Sequence, residues 1–149
     1  MEPVFATHPT LHWNDGLALG VEAIDEEHKV WLDLVRTFQQ AVADGEAPAA
    51  VYAAIVEALI YTERHFANEE ALMQETGYPH LDDHRAQHAR AAAELHAVTE
   101  GKTGEEELIA YIGSFLPNWL LLHINTADRK FAAWLKEQRA AAADGVMAA

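Results

Sequence analysis

Residues 59–73 read Leu59-Ile60-Tyr61-Thr62-Glu63-Arg64-His65-Phe66-Ala67-Asn68-Glu69-Glu70-Ala71-Leu72-Met73. Stepped by three and four, the stretch puts Leu59, Thr62, His65/Phe66, Glu69 and Leu72/Met73 on one face, the pattern of an amphipathic helix. That face is apolar except for His65 and Glu69, whose i,i+4 spacing stacks them one turn apart. Upstream the same stripe continues through Val51 and Ile55. A helix that turns its histidine and glutamate toward a core needs a reason, and the rest of the chain repeats the pattern.

Three more segments carry such stripes. One gives Ile24, His28, Trp31, Val35, Phe38 and Val42; another gives Leu81, His84, His88, Ala91 and Leu95. The last gives Leu108, Ile112, Phe115, Trp119, Leu122/His123, Ala127 and Phe131. The breaks between them are short: Asp44-Gly45-Glu46-Ala47-Pro48, Gly77-Tyr78-Pro79 and Gly101-Lys102-Thr103-Gly104. Glycine stops a helix and proline starts one. The predicted helices are 23–43, 49–76, 80–100 and 105–139, with no alternation or hairpin dipeptide that signals a strand. Short connections between long helices predict an all-α, antiparallel up-down-up-down four-helix bundle. Residues 1–22 form an irregular N-terminal arm that packs Trp13 on the bundle, and 140–149 read as a frayed tail. The whole of 1–149 is expected to be one domain. Pro117 falls inside the fourth helix, where it removes a backbone donor and crowds the carbonyl of Gly113; a kink or break is expected there.

The chain has 149 residues, half of them hydrophobic, and a net charge of −14. That acidity argues against nucleic acid or an anionic membrane as a partner, since both require a basic footprint. There is no cysteine, so disulfides, thiolate metal sites and cysteine nucleophiles are excluded. No secretory signal is visible at the N-terminus, and no apolar run approaches the ~20 residues of a membrane span. The expected location is the cytoplasm, and no spare apolar stripe calls for a partner, so a monomer is expected.

Nine histidines are the oddity of the composition. One histidine on an apolar stripe is ordinarily a core residue bonded to a carbonyl. Five of them with two carboxylates on four converging helices are different, because each buried polar group without a partner costs several kcal/mol, on the order of 1–3 for a neutral group and more for a charge. A cation in the middle accounts for all of them. His65/Glu69 and His84/His88 are i,i+4 pairs, whereas His123 and Asp128 are i,i+5. An ideal α-helix rotates an i,i+5 pair about 140° apart. Those two can share a site only by reaching around a cluster from two sides, or across a π-bulge.

These motifs resemble those of the hemerythrins, in their bacterial single-domain form. The pieces that carry the resemblance are Ile24-Asp25-Glu26-Glu27-His28, His65-Phe66-Ala67-Asn68-Glu69-Glu70, Gly77-Tyr78-Pro79 with His84 and His88, and Trp119-Leu120-Leu121-Leu122-His123-Ile124 with Asp128. The resemblance spans Trp13 to Asp128. It implies a non-heme di-iron centre with an oxo or hydroxo bridge: His84, His88 and His123 on one iron, His28 and His65 on the other, Glu69 and Asp128 bridging both. Two octahedral irons offer about twelve positions, and this set leaves one open, on the iron with two histidines. The implied function is reversible O2 binding as a carrier or store, not an enzyme. O2 is held end-on as hydroperoxide and the net charge of the buried site does not change. The protein that receives the O2 is unknown.

The alternatives are a di-iron enzyme (peroxidase-like, or detoxifying NO or O2) and an O2 or redox sensor. Ferritin-like di-iron enzymes use Glu-x-x-His, which this chain lacks. Sensory hemerythrin domains are usually fused to a signalling module, and the reading of this sequence as a single domain makes a free carrier or store the expectation over a sensor. Phe66, Trp119, Leu120 and Ile124 are expected to wall the ligand pocket and keep water and protons out. Trp31, where hemerythrins usually carry Leu or Ile, is expected to narrow that pocket. Asp25 is expected to be the N-cap of the first helix, Glu70 to lie on the surface or in a salt bridge, and His80 to be exposed or a cap. His96 is expected away from the site, and His8 and His12 have no partner. Phe131 and Trp134 are expected to be core or cap packing.

Overall fold

The computed structural model describes residues 10–100 and 105–148. It contains α1 (Glu22–Ala43), α2 (Pro48–Thr76), α3 (Leu81–Glu100), α4 (Glu105–His123) and α5 (Arg129–Ala148). A π-helical turn, Ile124–Asp128, joins α4 to α5, so these form the fourth helix of an all-α four-helix bundle. No strand occurs among the described residues. α1 packs on α2, α2 on α3 and α4, and α4 also meets α1 and α3.

The breaks act as their residues dictate. Pro48 opens α2, where its missing donor is not needed. Gly77 adopts φ 76°, and its N–H and that of Tyr78 donate to the carbonyls of Gln74 and Met73, at 3.3 and 2.9 Å. This is a Schellman stop, which requires a left-handed residue. Gly45, at φ 67°, closes α1 in the same way: its N–H donates to Val42 and that of Glu46 to Ala41.

Three expectations need correction. Asp25 is not the N-cap, because α1 begins at Glu22 after Val21, which makes no side-chain cap. The Asp25 carboxylate instead accepts from the N–H groups of Leu19 and Gly20, at 2.8 and 3.1 Å, and pins the end of the arm. Pro117 does not break the fourth helix. α4 runs through Gly113–Pro117, and the departure from α geometry comes later, at Ile124–Asp128. One missing donor in a helix of 19 residues is outweighed by the burial of Ile112, Leu116 and Leu120. The fourth helix does not end at 139: α5 continues to Ala148, with residues 140–145 exposed.

The arm lies along the bundle. It has a short 3-10 turn at Asp15–Leu17, buries Leu11, Leu17, Leu19 and Val21, and half-buries Trp13 beneath the ammonium of Lys29. His12 is exposed, and His8 lies outside the described residues. By length and composition the helix Glu106–Gly145 could cross a membrane, but half of its apolar window is buried inside the bundle.

The core is in two parts. One cluster gathers Trp31, Val35, Phe38, Ile55, Phe66, Leu95, Ile112 and Leu120 among others. The second gathers Leu19, Val21, Ile24, Met73, Tyr78, Phe131 and Leu135, with Trp134 packed against it. Each of three helices passes from one cluster to the other through a polar pair or single: His28 between Ile24 and Trp31, His65/Glu69 between Ala58 and Met73, His123/Asp128 between Leu120 and Phe131. A polar layer therefore divides two apolar ones.

Candidate metal centre

The polar layer consists of His28, His65, Glu69, His84, His88, His123 and Asp128, each 3% exposed or less. α1 supplies His28, α2 supplies His65 and Glu69, α3 supplies His84 and His88, and the end of α4 with the π turn supplies His123 and Asp128. The π turn resolves the i,i+5 problem. The Arg129 N–H reaches back five residues to the Ile124 carbonyl, and the wider turn swings Asp128 onto the side of His123, whose Nε2 lies 3.1 Å from Asp128 Oδ1.

The two carboxylates are split oxygen by oxygen. Glu69 Oε1 faces His84 Nε2 at 2.6 Å and His88 Nε2 at 3.2 Å, and Asp128 Oδ1 faces His84 Nε2 and His123 Nε2, each at 3.1 Å. The opposite oxygens face the other pair: Glu69 Oε2 lies 3.4 Å from His65 Nε2 and 3.9 Å from His28 Nε2, and Asp128 Oδ2 lies 3.1 Å from His28 Nε2. Two overlapping donor sets result. Glu69, His84, His88, His123 and Asp128 form one, and His28, His65, Glu69 and Asp128 form the other, the donor atoms of each lying within 4.8 Å of one another.

These atoms satisfy one another only in part. His28 Nδ1 and Nε2, His65 Nε2, Glu69 Oε2 and both oxygens of Asp128 are buried with no hydrogen-bond partner. The 3.1 Å approach of His28 to Asp128 is thus close but not aligned as a bond. The Nε2 atoms of His84, His88 and His123 also crowd together, 3.0 Å between His88 and His123 and 3.2 Å between His123 and His84. Orphaned donors aimed at common centres are what cations would satisfy, and imidazole with carboxylate suits iron and its first-row neighbours.

A proton is the simplest cation the layer can hold. Burial opposes a charged imidazole at His65, yet Glu27 and Glu69 outweigh it and push the pKa up to about 10. The same contest, won by Asp128 and Glu69, takes His84 to about 9. Burial and the Asp128 charge both favour a neutral Glu69, but His65, His84 and His88 hold it down at about 2. Burial likewise works against Asp128, which His123, His28 and His84 keep well below the usual carboxylate range.

Two further carboxylates lie behind the imidazoles. His65 Nδ1 donates to Glu27 Oε1 at 3.2 Å, and Asn68 Nδ2 donates to Glu27 Oε2 at 2.9 Å. His88 Nδ1 donates to Glu70 Oε2 at 3.0 Å, and Arg85 Nε donates to Glu70 Oε1 at 2.9 Å. Glu70 is in a salt bridge, with Arg85, as its position predicts; its contact with His88, and that of Glu27 with His65, carry no expectation from the sequence. Each sits next to a residue of the polar layer in the chain. That adjacency was the available signal, but which neighbouring helix each carboxylate meets depends on how the helices pack.

Aromatic rings flank the layer. Phe66 stacks on His88 with centroids 3.9 Å apart, Trp119 stacks on His123 at 4.4 Å, and Trp31 leans on His65 at 4.9 Å. Trp31 lies farther from His28, at 6.2 Å. The three rings also touch one another. Leu120 and Ile124 are fully buried in the same apolar cluster. His80 is exposed, and its carbonyl accepts the N–H of His84 at the start of α3. His96 pairs with Glu63 on the surface, outside the polar layer.

Residues 19–135 match the family model of the hemerythrin HHE cation binding domain. The chain belongs to the hemerythrin family. Among its relatives is a bacteriohemerythrin of Ralstonia nicotianae, 32% identical over 132 residues that cover 87% of this chain and 92% of that one. Another, from Stenotrophomonas maltophilia, is 30% identical over 85% of this chain and 82% of its own. A third, from Methylococcus capsulatus, is 30% identical over 74% and 85%. For a hemerythrin-family chain the buried histidine–carboxylate layer is a metal-binding cluster, and iron is the metal the family implies.

Proposed function

We propose that this protein binds O2 reversibly, as a carrier or store and not as an enzyme, at a centre of two irons joined by an oxo or hydroxo bridge. In this reading His84, His88 and His123 hold one iron, His28 and His65 hold the other, and Glu69 and Asp128 bridge them. The observation that carries it is the inequality of the two donor sets, five atoms against four. With a shared oxygen added to each, an octahedral pair would be complete on one side and one ligand short on the other. The iron pair supplies the two electrons that O2 takes on binding and gives back on release.

The chain's own part is to hold, shield and withhold protons. Glu69 and Asp128, kept ionised by the imidazoles around them, offer no proton to a bound ligand. The Thr62 hydroxyl donates to the Ala58 carbonyl at 2.7 Å and accepts from Trp31 Nε1 at 2.8 Å, so its proton too is engaged away from the layer. Trp31, Phe66, Trp119, Leu120 and Ile124 supply apolar surface around the histidines, and such walls exclude water.

The test is a metal analysis with a visible spectrum. About two irons per chain are expected. The reduced protein should be nearly colourless, gain visible absorption on exposure to O2, and lose it when O2 is removed. Steady consumption of O2 with a reductant, without a recoverable oxygenated form, would assign the chain to the enzymes instead.

A further inference from the structure

Among the hydrogen bonds of the five imidazoles, two Nδ1 atoms donate to a carboxylate outside the polar layer, one in each donor set. His65 belongs to the four-atom set and donates to Glu27; His88 belongs to the five-atom set and donates to Glu70. The two arrangements look alike but differ in charge. The second oxygen of Glu27 accepts from the neutral amide of Asn68, whereas the second oxygen of Glu70 accepts from the guanidinium of Arg85. Glu27 and Glu70 are similarly shielded, their side chains 24% and 20% exposed, so solvent does not distinguish them. Arg85 does.

A carboxylate that accepts the Nδ1–H of an imidazole fixes the ring and makes Nε2 a stronger donor to a cation. The strength of that effect follows the negative charge left on the carboxylate. We propose that Glu27 and Glu70 are positioning residues that make the two halves of the centre unequal, Glu27 with undiminished charge behind His65 and Glu70 with its charge offset by Arg85 behind His88. The half with fewer donors receives the stronger push and is the more easily oxidised. The half with more donors is held by geometry and receives less. This rests on the two-iron reading above.

The test uses the iron-loaded protein and the variants E27Q, E27D, E70Q and R85Q, with midpoint potentials from spectroelectrochemistry. Glutamine keeps one oxygen to accept the Nδ1–H and removes the charge together with the second acceptor, so Asn68 must turn its amide oxygen toward the new amide in E27Q, and Arg85 loses its bond to residue 70 in E70Q. E27Q should favour the reduced centre by about tenfold, about 59 mV for a one-electron step. E70Q should give less than half that shift, and R85Q, which uncovers the Glu70 charge, should move the potential the other way. E27D should restore the wild-type value. Equal shifts in E27Q and E70Q, no shift in either, or an R85Q potential that does not fall would overturn the proposal. If E27Q and E27D both fail to fold, Glu27 is a packing residue and the proposal also fails. Co(II) titration of the metal-free protein gives a readout independent of iron chemistry: E27Q should weaken one of two sites about tenfold, and E70Q should weaken the other by less. A wild-type protein that takes up no iron would refute the functional reading, while unequal Co(II) losses would still support the inequality of the two halves.

Discussion

At the scale of single residues, the polar layer is a set of groups that each need a cation. His65 and His84 have pKa values raised from 6.5 to about 10 and about 9. A group whose folded pKa lies above its unfolded one stabilises the fold fully below the unfolded value and loses that contribution as pH rises through the folded one. The metal-free protein should therefore hold this stabilisation in full below about pH 6.5, lose it progressively as the pH rises above that, and have none of it left beyond about pH 10, as thermal melts at stepped pH would show. A metal must displace the same protons. Apparent Co(II) affinity should rise with pH up to that range, by on the order of tenfold per pH unit for each proton released, and a flat profile would show that the imidazoles are already neutral. Trp31 gives a second residue-scale prediction. It is fully buried against His65 and tied to Thr62. Trp31→Ala should cost ~3–5 kcal/mol of stability, and in the iron-loaded protein it should speed both azide binding and oxidative loss of the oxygenated form. Unchanged rates in a folded, loaded variant would reduce Trp31 to packing.

At the scale of elements, helix ends and one irregular turn decide what the side chains can reach. Gly77 and Gly45 sit at positive φ with nothing within 4 Å of where a Cβ would be. Substitution there strains the backbone without a clash. Gly77→Ala and Gly45→Ala should each destabilise by about 1–2 kcal/mol, measurable by urea unfolding with an unchanged m-value. The Gly77 variant is the more informative, since it lies between the helices that carry Glu69 and His84; if its metal content falls as well, the stop sets the register of α2 against α3. The i,i+5 spacing of His123 and Asp128 left two routes to a shared site, around a cluster or across a π-bulge, and the structure takes the second. No break occurs at Pro117, since a missing donor states a local cost and says nothing of the burial that offsets it.

At the scale of the whole molecule, two apolar clusters are held apart by a layer of seven polar side chains, with six of their buried atoms unpaired. Such a layer weakens a fold until it is filled, because each orphaned group costs about 1–3 kcal/mol. Metal that binds the folded chain alone should then stabilise it through mass action, by about 4 kcal/mol at a thousandfold excess over its dissociation constant. Calorimetry before and after chelation should show a clear fall in melting temperature. Equal melting temperatures would mean that the layer is satisfied without metal.

The sequence by itself determined the four helices, the stops at Gly45 and Gly77 and the five histidines and Glu69 that face inward, because helical periodicity is a local property and a histidine on an apolar stripe stands out against it; Asp128 came from its spacing to His123 and the family resemblance. Tertiary structure alone decided which oxygen of Glu69 and of Asp128 faces which imidazole. It also decided that Glu27 of α1 reaches His65 of α2, and that Glu70 of α2 reaches His88 and Arg85 of α3. Those pairings depend on the rotation and height of one helix against the next. Packing sets both through side chains far along the chain, and no spacing within a single helix encodes them.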